Sequence, residues 1–304
     1  MKHIISAKNF SKQEVEKILC MAEEMEKDCK SGKVQKKLED KIIACIFFEP
    51  STRTRLSFET AGLKLGAKII SAENASVNSS AFKGETIEDT TKIICGYADA
   101  LIIRHPEKGS AEKAVSVATK PILNAGDGAG EHPSQAFLDL YTIKKEHGRL
   151  ENLHIAFGGD LKHSRTLHSL VPFLKMYKGN VFYFVSPEEL SLPKEYTENL
   201  EKEGVNFKVM RSLEEALPYL DVLYMTRVQK ERFGNKADYE KVKNLFILKE
   251  KDLNLLKDTA IIMHPLPKVN EIECGVDNDK RAAYFRQAEN GLYIRMALLS
   301  YIFE

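Results

Sequence analysis

An excess of charge of either sign is what this sequence most plainly lacks: Lys and Arg number 45 against 44 Asp and Glu, a net of +1. No global field therefore draws the chain to nucleic acid or to an anionic membrane, and any anion binding has to be local. Long apolar runs are missing too. Residues Met1 to Ser6 carry nothing like the apolar region of a signal peptide, and no stretch approaches the ~18 uninterrupted apolar residues of a membrane span. A cytoplasmic location and no membrane partner are expected. The five cysteines (Cys20, Cys29, Cys45, Cys95, Cys274) form no C-x-x-C pair, which points to reduced thiols. The histidines show no H-x-x-x-H spacing, so no metal site is assigned. Gly158 to Thr166 follows a strand-like run but has neither the G-x-G-x-x-G of a dinucleotide site nor the G-K-[ST] ending of a P-loop. No cofactor is expected.

What is present reads as two α/β domains. The 304 residues suffice for two units of about 150 each. Strand-like runs near 42–48, 68–71, 100–103 and 121–123 alternate with helical stretches near 86–97 and 111–118, after an amphipathic helix over 7–30 that Ser11 and Glu14 open as a capping box. Residues 124–130, rich in glycine, read as a flexible loop. Pro133 then starts a helix that runs to about His147 and stops at Gly148. A second series of strands lies near 154–157, 180–185, 206–210, 222–225 and 260–263, and a final helix over Tyr284 to Phe303. The alternation predicts two similar domains, 1–133 and 134–283, each a parallel β-sheet flanked by helices, with the active site in the interdomain cleft and the segment 284–304 packing back on the first domain.

The most informative stretch is Phe47-Phe48-Glu49-Pro50-Ser51-Thr52-Arg53-Thr54-Arg55. It follows the apolar run Ile42 to Phe48, a strand covered on both faces. Phe58, Ala61, Gly62 and Leu65 then fall on one helical face, with Gly66 as a stop. Ser51 or Thr52 would be the N-cap. Unpaired N–H groups at such a helix start favour an oxyanion, and the arginines add fixed charge that forks onto phosphate oxygens. An ordinary capped helix with solvated arginines is the plain alternative for a lone S-T-R; the whole nonapeptide favours the cradle.

Other chemistry clusters where strands should end. Ser79 to Thr86, with Lys83, is a polar loop or a ligand loop. Arg104 closes a strand and is either an anion donor or half of a salt bridge. His132, at a helix start, is a carbonyl donor or a packing residue, and Gln135 can accept from an NH₂ group. Arg165 and Arg227 put cations at two strand ends of the second domain, which suits a ligand with carboxylates. In His264-Pro265-Leu266-Pro267, Leu266 can present main-chain carbonyls, and its bond to Pro267 is a candidate cis peptide.

Taken together, the blocks Phe47 to Thr60, Lys83 to Thr86, Arg104 to Pro106, Asn124 to Tyr141, Gly159 to Leu170, Tyr224 to Phe233, His264 to Ile272 and Gln287 to Gly291 closely resemble the aspartate carbamoyltransferase catalytic-chain family. The resemblance implies transfer of the carbamoyl group of carbamoyl phosphate to L-aspartate, an early step of pyrimidine synthesis. It implies that Ser51, Thr52, Arg53, Thr54 and Arg104 bind the phosphate, that Thr54, Arg104 and His132 polarise the carbonyl, and that Gln135 with the carbonyls of Leu266 and Pro267 holds the NH₂ group. Arg165, Arg227 and Gln229 match aspartate-binding positions. Lys83, with Ser79, matches a loop that enters the neighbouring subunit's site. Glu49 matches a residue that bridges to Arg165 and Arg232 on domain closure. A homotrimer with shared sites is implied, and attachment of regulatory chains is left open. The first domain would be the carbamoyl-phosphate-binding one and the second the aspartate-binding one. Lys268 and Asn270 depart from the family pattern, and Glu131 is placed to raise the pKa of His132. Ornithine carbamoyltransferase shares the S-T-R-T-R and H-P-x-Q blocks, but Arg227 favours a second carboxylate over an ammonium. An inactive carbamoyltransferase-like subunit would be marked by loss of Arg53, Lys83, Arg104 or His132, and all four are present.

Overall fold

The computed structural model describes the chain apart from residues 76–83, 129, 229–234, 236–238, 241 and 243–245, and gives Arg165 by its backbone alone. Two compact units divide it. One comprises Met1–Tyr141, His168–Phe173 and Glu289–Glu304; the other comprises Thr142–Leu167 and Leu174–Ala288.

The first unit is built on four parallel strands, β1 (Ile42–Phe47), β2 (Lys68–Glu73), β3 (Ala100–His105) and β4 (Ile122–Asp127), in the order β2-β1-β3-β4. Helix α1 (Lys12–Lys30) precedes them, and α2 (Thr52–Lys64), α3 (Ile87–Cys95) and α4 (Ser110–Val117) connect them. The helix expected over 7–30 is shorter than that. Ala7–Asn9 makes a separate 3-10 turn, because the Ser11 hydroxyl takes the Glu14 N–H while the Glu14 carboxylate takes the Ser11 N–H, closing the helix at that point. Strand β1 is buried on both sides, and Phe58, Ala61 and Leu65 of the expected α2 stripe have no exposed surface. Ile46, Phe48, Leu101, Ile103, Ala114 and Ile122 belong to one cluster. Cys45 lies in the same strand, and burial pushes its thiol pKa up, as suits a core residue rather than a nucleophile.

The first four residues of the glycine-rich stretch 124–130 are strand rather than the loop that its composition suggests. Asn124, Ala125, Gly126 and Asp127 continue β4 and are all buried. Asn124 Nδ2 donates to Ile5 O at 3.0 Å, and its Oδ1 accepts the Gly126 N–H at 2.7 Å, so a side chain supplies the pairing that glycine-rich backbone does not favour alone. Gly126, at φ +119, sits where the register against β3 shifts between Ile103 and His105. Helix α5 (Pro133–His147) follows and stops at Gly148 as expected.

The second unit carries β5 (His154–Gly159), β6 (Val181–Val185), β7 (Phe207–Met210), β8 (Val222–Thr226) and β9 (Ile261–Met263), all parallel, in the order β7-β6-β5-β8-β9. Helices α6 (Arg165–Leu174), α7 (Lys194–Lys202) and α8 (Leu213–Ala216) lie between strands. Leu223, Met225, Leu248, Ile262 and Tyr284 share one core cluster. The last helix, α9 (Tyr284–Ile302), ends within the first unit, where the Tyr301 hydroxyl donates to Glu14 Oε1 at 2.8 Å. No helix among the described residues is long and apolar enough to cross a membrane.

Each sheet treats its two edges differently. The outer side of β4 is bridged by Ile4, whose N–H donates to Ile122 O and whose carbonyl accepts from Asn124, both at 2.8 Å. The outer side of β9 is bridged at Ile262, which donates to Arg281 O at 2.7 Å and accepts from Ala283 at 2.8 Å. The opposite edge strands, β2 and β7, expose Lys68 and Lys208.

Two stability outcomes are expected. Ser11→Ala removes half of the capping box and should lower the unfolding free energy by about 1 kcal/mol, read by denaturant titration. Burial pushes the pKa of His105, His147, His168 and His264 below the ordinary value of 6.5. The folded state then refuses protons that the unfolded chain accepts. Stability is therefore fully present above 6.5 and lost as pH falls below it. A melting temperature that is level above neutrality and declines toward about pH 5 is the expected profile.

Candidate active site

In the first sheet the chain moves from β1 outward to β2, then returns to place β3 on the other side of β1. That reversal leaves a crevice at the carboxyl ends of β1 and β3. Strand β1 delivers Glu49 and the start of α2 to this rim. Ser51 is the N-cap, and its hydroxyl makes no capping bond. Thr54 is buried, whereas Thr52 and Arg53 are exposed. Strand β3 delivers Arg104, which is 6% exposed. Its Nη1 donates to Ala125 O at 3.1 Å and its Nη2 lies 2.9 Å from Glu49 Oε2.

Beyond β4, His132 is buried just before α5, its N–H donating to Ser169 Oγ at 3.1 Å and its Nδ1 lying 3.4 Å from Ser134 Oγ. Gly126 joins these groups. A Cβ there would lie 2.7 Å from Arg104 Nη1 and 3.5 Å from His132 Cδ2, so the guanidinium and the imidazole converge on one bare backbone position. Gln135, in the first turn of α5, is partly exposed and donates through Nε2 to Asp139 Oδ1 at 2.8 Å, which leaves its Oε1 as the acceptor.

The second sheet repeats the device. The chain goes from β5 outward through β6 and β7, then returns to lay β8 and β9 on the other side of β5. After β5, Asp160 accepts the His163 N–H at 3.1 Å, and α6 begins at Arg165. Gly159, at φ +108, admits β8 so closely that a Cβ would meet Thr226 O at 2.3 Å. Arg227 directly follows β8 and is partly exposed. After β9 comes Leu266, at φ +54, joined to Pro267 by a cis peptide, as the sequence suggested.

Several expectations change. Of the two arginines in the nonapeptide, Arg55 is turned away from any ligand role: its Nη2 lies 3.1 Å from Glu73 and its Nη1 3.4 Å from Glu59. Glu131 has partners other than His132. Its carboxylate accepts from the Ser6 hydroxyl at 2.7 Å and the Ala7 N–H at 2.8 Å, both in the N-terminal segment. Glu49 sits on Arg104; Arg232, one of its two expected partners, lies outside the described residues, as does the side chain of the other, Arg165. Lys83, Ser79 and Gln229 also lie outside them. Lys268, where the chain departs from the family pattern, lies 3.0 Å from Asp277 within its own unit.

Sequence reasoning missed three supporting residues. Buried Asp127 accepts the N–H groups of Gly109 at 3.0 Å and Glu131 at 2.6 Å and so shapes the approach to His132. Asp139 lies four residues after Gln135, a helical spacing that was readable. Ser169 reaches His132 from 37 residues away, and nothing local announces it.

Comparison with known proteins agrees with this layout. The family model described as the carbamoyl-P binding domain of aspartate/ornithine carbamoyltransferase matches residues 2–145, and the Asp/Orn binding domain of the same family matches residues 151–302. The aspartate carbamoyltransferase catalytic subunit of Methanocaldococcus jannaschii is 47% identical over 304 residues, covering 100% of this chain and 98% of that one. The multifunctional protein pyr1-3 of Dictyostelium discoideum is 48% identical over 302 residues and 99% of this chain, which spans 13% of that longer protein. Among solved structures, aspartate transcarbamoylase from Trypanosoma cruzi in complex with carbamoyl phosphate gives a TM-score of 0.92 at 39% identity, covering 98% of this chain and 95% of that one. Matched in both halves and along almost its whole length, this chain belongs to the aspartate/ornithine carbamoyltransferase family.

Proposed function

We propose that the protein transfers the carbamoyl group of carbamoyl phosphate to the amine of L-aspartate, giving N-carbamoyl-L-aspartate and phosphate. The observation that carries the reading is the convergence of Arg104 and His132 on Gly126, beside the α2 start whose Ser51 hydroxyl is not engaged in capping. Ser51, Thr52, Arg53 and Thr54 hold the phosphate with the first-turn N–H groups of α2. Arg104 serves both phosphate and carbonyl oxygen. Thr54, Arg104 and His132 are donors to the oxyanion that forms when the deprotonated amine attacks the carbamoyl carbon. Gln135 accepts from the NH₂ group through Oε1, and the carbonyls of Leu266 and Pro267 accept with it. The departing phosphate takes the amine proton, so no protein base is needed.

Arg165, Arg227 and Gln229 bind the aspartate carboxylates, and Lys83 reaches the site of a neighbouring subunit in a homotrimer. The carbamoyl-phosphate-binding domain spans 1–133, with 284–304 returning to it, and the aspartate-binding domain spans 134–283. Glu49, now on Arg104, shares that guanidinium's donors with the incoming anion, so substrate binding frees it for a closure role with Arg165 and Arg232. The reaction belongs to pyrimidine synthesis in the cytoplasm, with regulatory chains as optional partners.

The first test is carbamoylation of L-aspartate and, in parallel, of L-ornithine, with carbamoyl phosphate and no added metal. Turnover of aspartate alone is expected; ornithine turnover would overturn the role of Arg227, and silence on both would favour an inactive subunit. Arg53→Ala should lose roughly a hundredfold in kcat, about 3 kcal/mol of transition-state stabilisation, since it removes a charge-assisted donor to the departing phosphate. A loss under about tenfold would remove Arg53 from that role. Gly126→Ala forces Arg104 aside and strains a positive φ; kcat/KM for carbamoyl phosphate should fall about a hundredfold or more.

A further inference from the structure

The turn after β9 is held from within by three side chains to which the reaction scheme gives no role. His264 and Gln287 are each 1% exposed and Glu271 is 5% exposed. The Leu266 N–H donates to His264 Nδ1 at 2.8 Å. A ring nitrogen that accepts carries no proton in the neutral imidazole, so the proton resides on Nε2. That nitrogen lies 2.7 Å from Glu271 Oε1. The same carboxylate accepts the N–H groups of Val269 at 3.2 Å and Asn270 at 3.1 Å. The main-chain N–H of His264 in turn donates to Gln287 Oε1 at 2.9 Å. The network thus fastens backbone N–H groups at 264, 266, 269 and 270.

Electrostatics agree with this protonation pattern. Burial pushes the His264 pKa down, against the pull of Glu271, and keeps the ring neutral. Burial alone would raise the pKa of Glu271; the contacts with His264 and the backbone N–H groups hold it below the ordinary carboxylate value.

Leu266 needs such support. Its φ of +54 lies in the left-handed region that a branched side chain resists, and a residue stays there only when its surroundings over-determine it. Gln287 gives a physical reason for the terminal Gln287-Ala288-Glu289-Asn290-Gly291 block as well, since its amide oxygen fixes the point where β9 hands over to the turn.

We propose that Glu271, His264 and Gln287 are positioning residues that pre-set the 264–271 turn, so that the carbonyls of Leu266 and Pro267 form a ready acceptor pair for the carbamoyl NH₂ group. This deepens the carbamoyl-transfer function and rests on it. The turn reads only the amide end of the substrate, while the α2 cradle reads the phosphate end. A positioning role therefore has a signature that general damage to the fold lacks.

The test compares, in the full chain, KM for carbamoyl phosphate with the inhibition constant of inorganic phosphate, which has no NH₂ group. Glu271→Ala should raise KM for carbamoyl phosphate about tenfold and leave the phosphate constant within about twofold, and Glu271→Gln, whose amide oxygen still accepts, should recover most of the loss. An unmoved KM in Glu271→Ala, or equal weakening of both ligands, would overturn the positioning role. Should Glu271→Ala fail to fold, as judged by circular dichroism, Gln287→Ala gives the same comparison with the same two outcomes. The wild-type arm separates the two levels: phosphate binding without aspartate carbamoylation sinks the carbamoyl-transfer function, whereas an active wild type beside an unmoved variant sinks only the positioning role.

Discussion

A parallel strand can be followed by its neighbour only if the chain crosses back over the sheet, so the carboxyl ends of all strands gather at one rim together with the starts of the helices that follow. The candidate site depends on that constraint. Where strand order reverses, the crossovers leave to opposite sides and the rim opens. It opens between β1 and β3 in one unit and between β5 and β8 in the other. The S-T-R-T segment, Arg104, Arg165 and Arg227 occupy those four strand ends, and His132 and Leu266 follow the next strands outward, β4 and β9.

Charge placement follows the same logic. A buried guanidinium without partners is costly, and Arg104 offsets that cost with a backbone carbonyl and the Glu49 carboxylate. Arg55, partly exposed, pairs instead with Glu59 and Glu73. The two arginines of the nonapeptide therefore have unlike roles. Arg55 ties α2 to the end of β2, and Arg53 stays exposed at the rim. One motif thus contains both an arginine exposed at the rim and the brace that holds its helix.

What could be read from the sequence and what could not divides along the range of the interactions. The β1–α2 passage was legible because its signals are local: an apolar run, cap residues, then Phe58, Ala61, Gly62 and Leu65 at helical spacing. Helix α5 was legible from Pro133 and Gly148 for the same reason. The extension of β4 through Asp127 was not, because it rests on Asn124 meeting Ile5 more than a hundred residues earlier in the chain. The partners of Glu131 went unread for an identical cause, since Ser6 and Ala7 are equally distant. Ser169 behind His132 belongs to the same class. Side-chain partnerships at long range leave no periodic trace, so composition alone pointed the glycine-rich stretch toward a loop.

The contrast between the two edges of each sheet has a consequence for how copies of this chain can associate. An open strand edge invites another chain to add its own strand, a route that leads as readily to disordered aggregates as to defined assemblies. Here the β4 and β9 edges are already bridged, by Ile4 and by Arg281 to Ala283, and the β2 and β7 edges carry exposed lysines whose desolvation would oppose docking. Sheet continuation from one copy to the next is disfavoured at all four edges. Assembly is left to side-chain surfaces, which can be tuned residue by residue without disturbing the strand registers that set the rim.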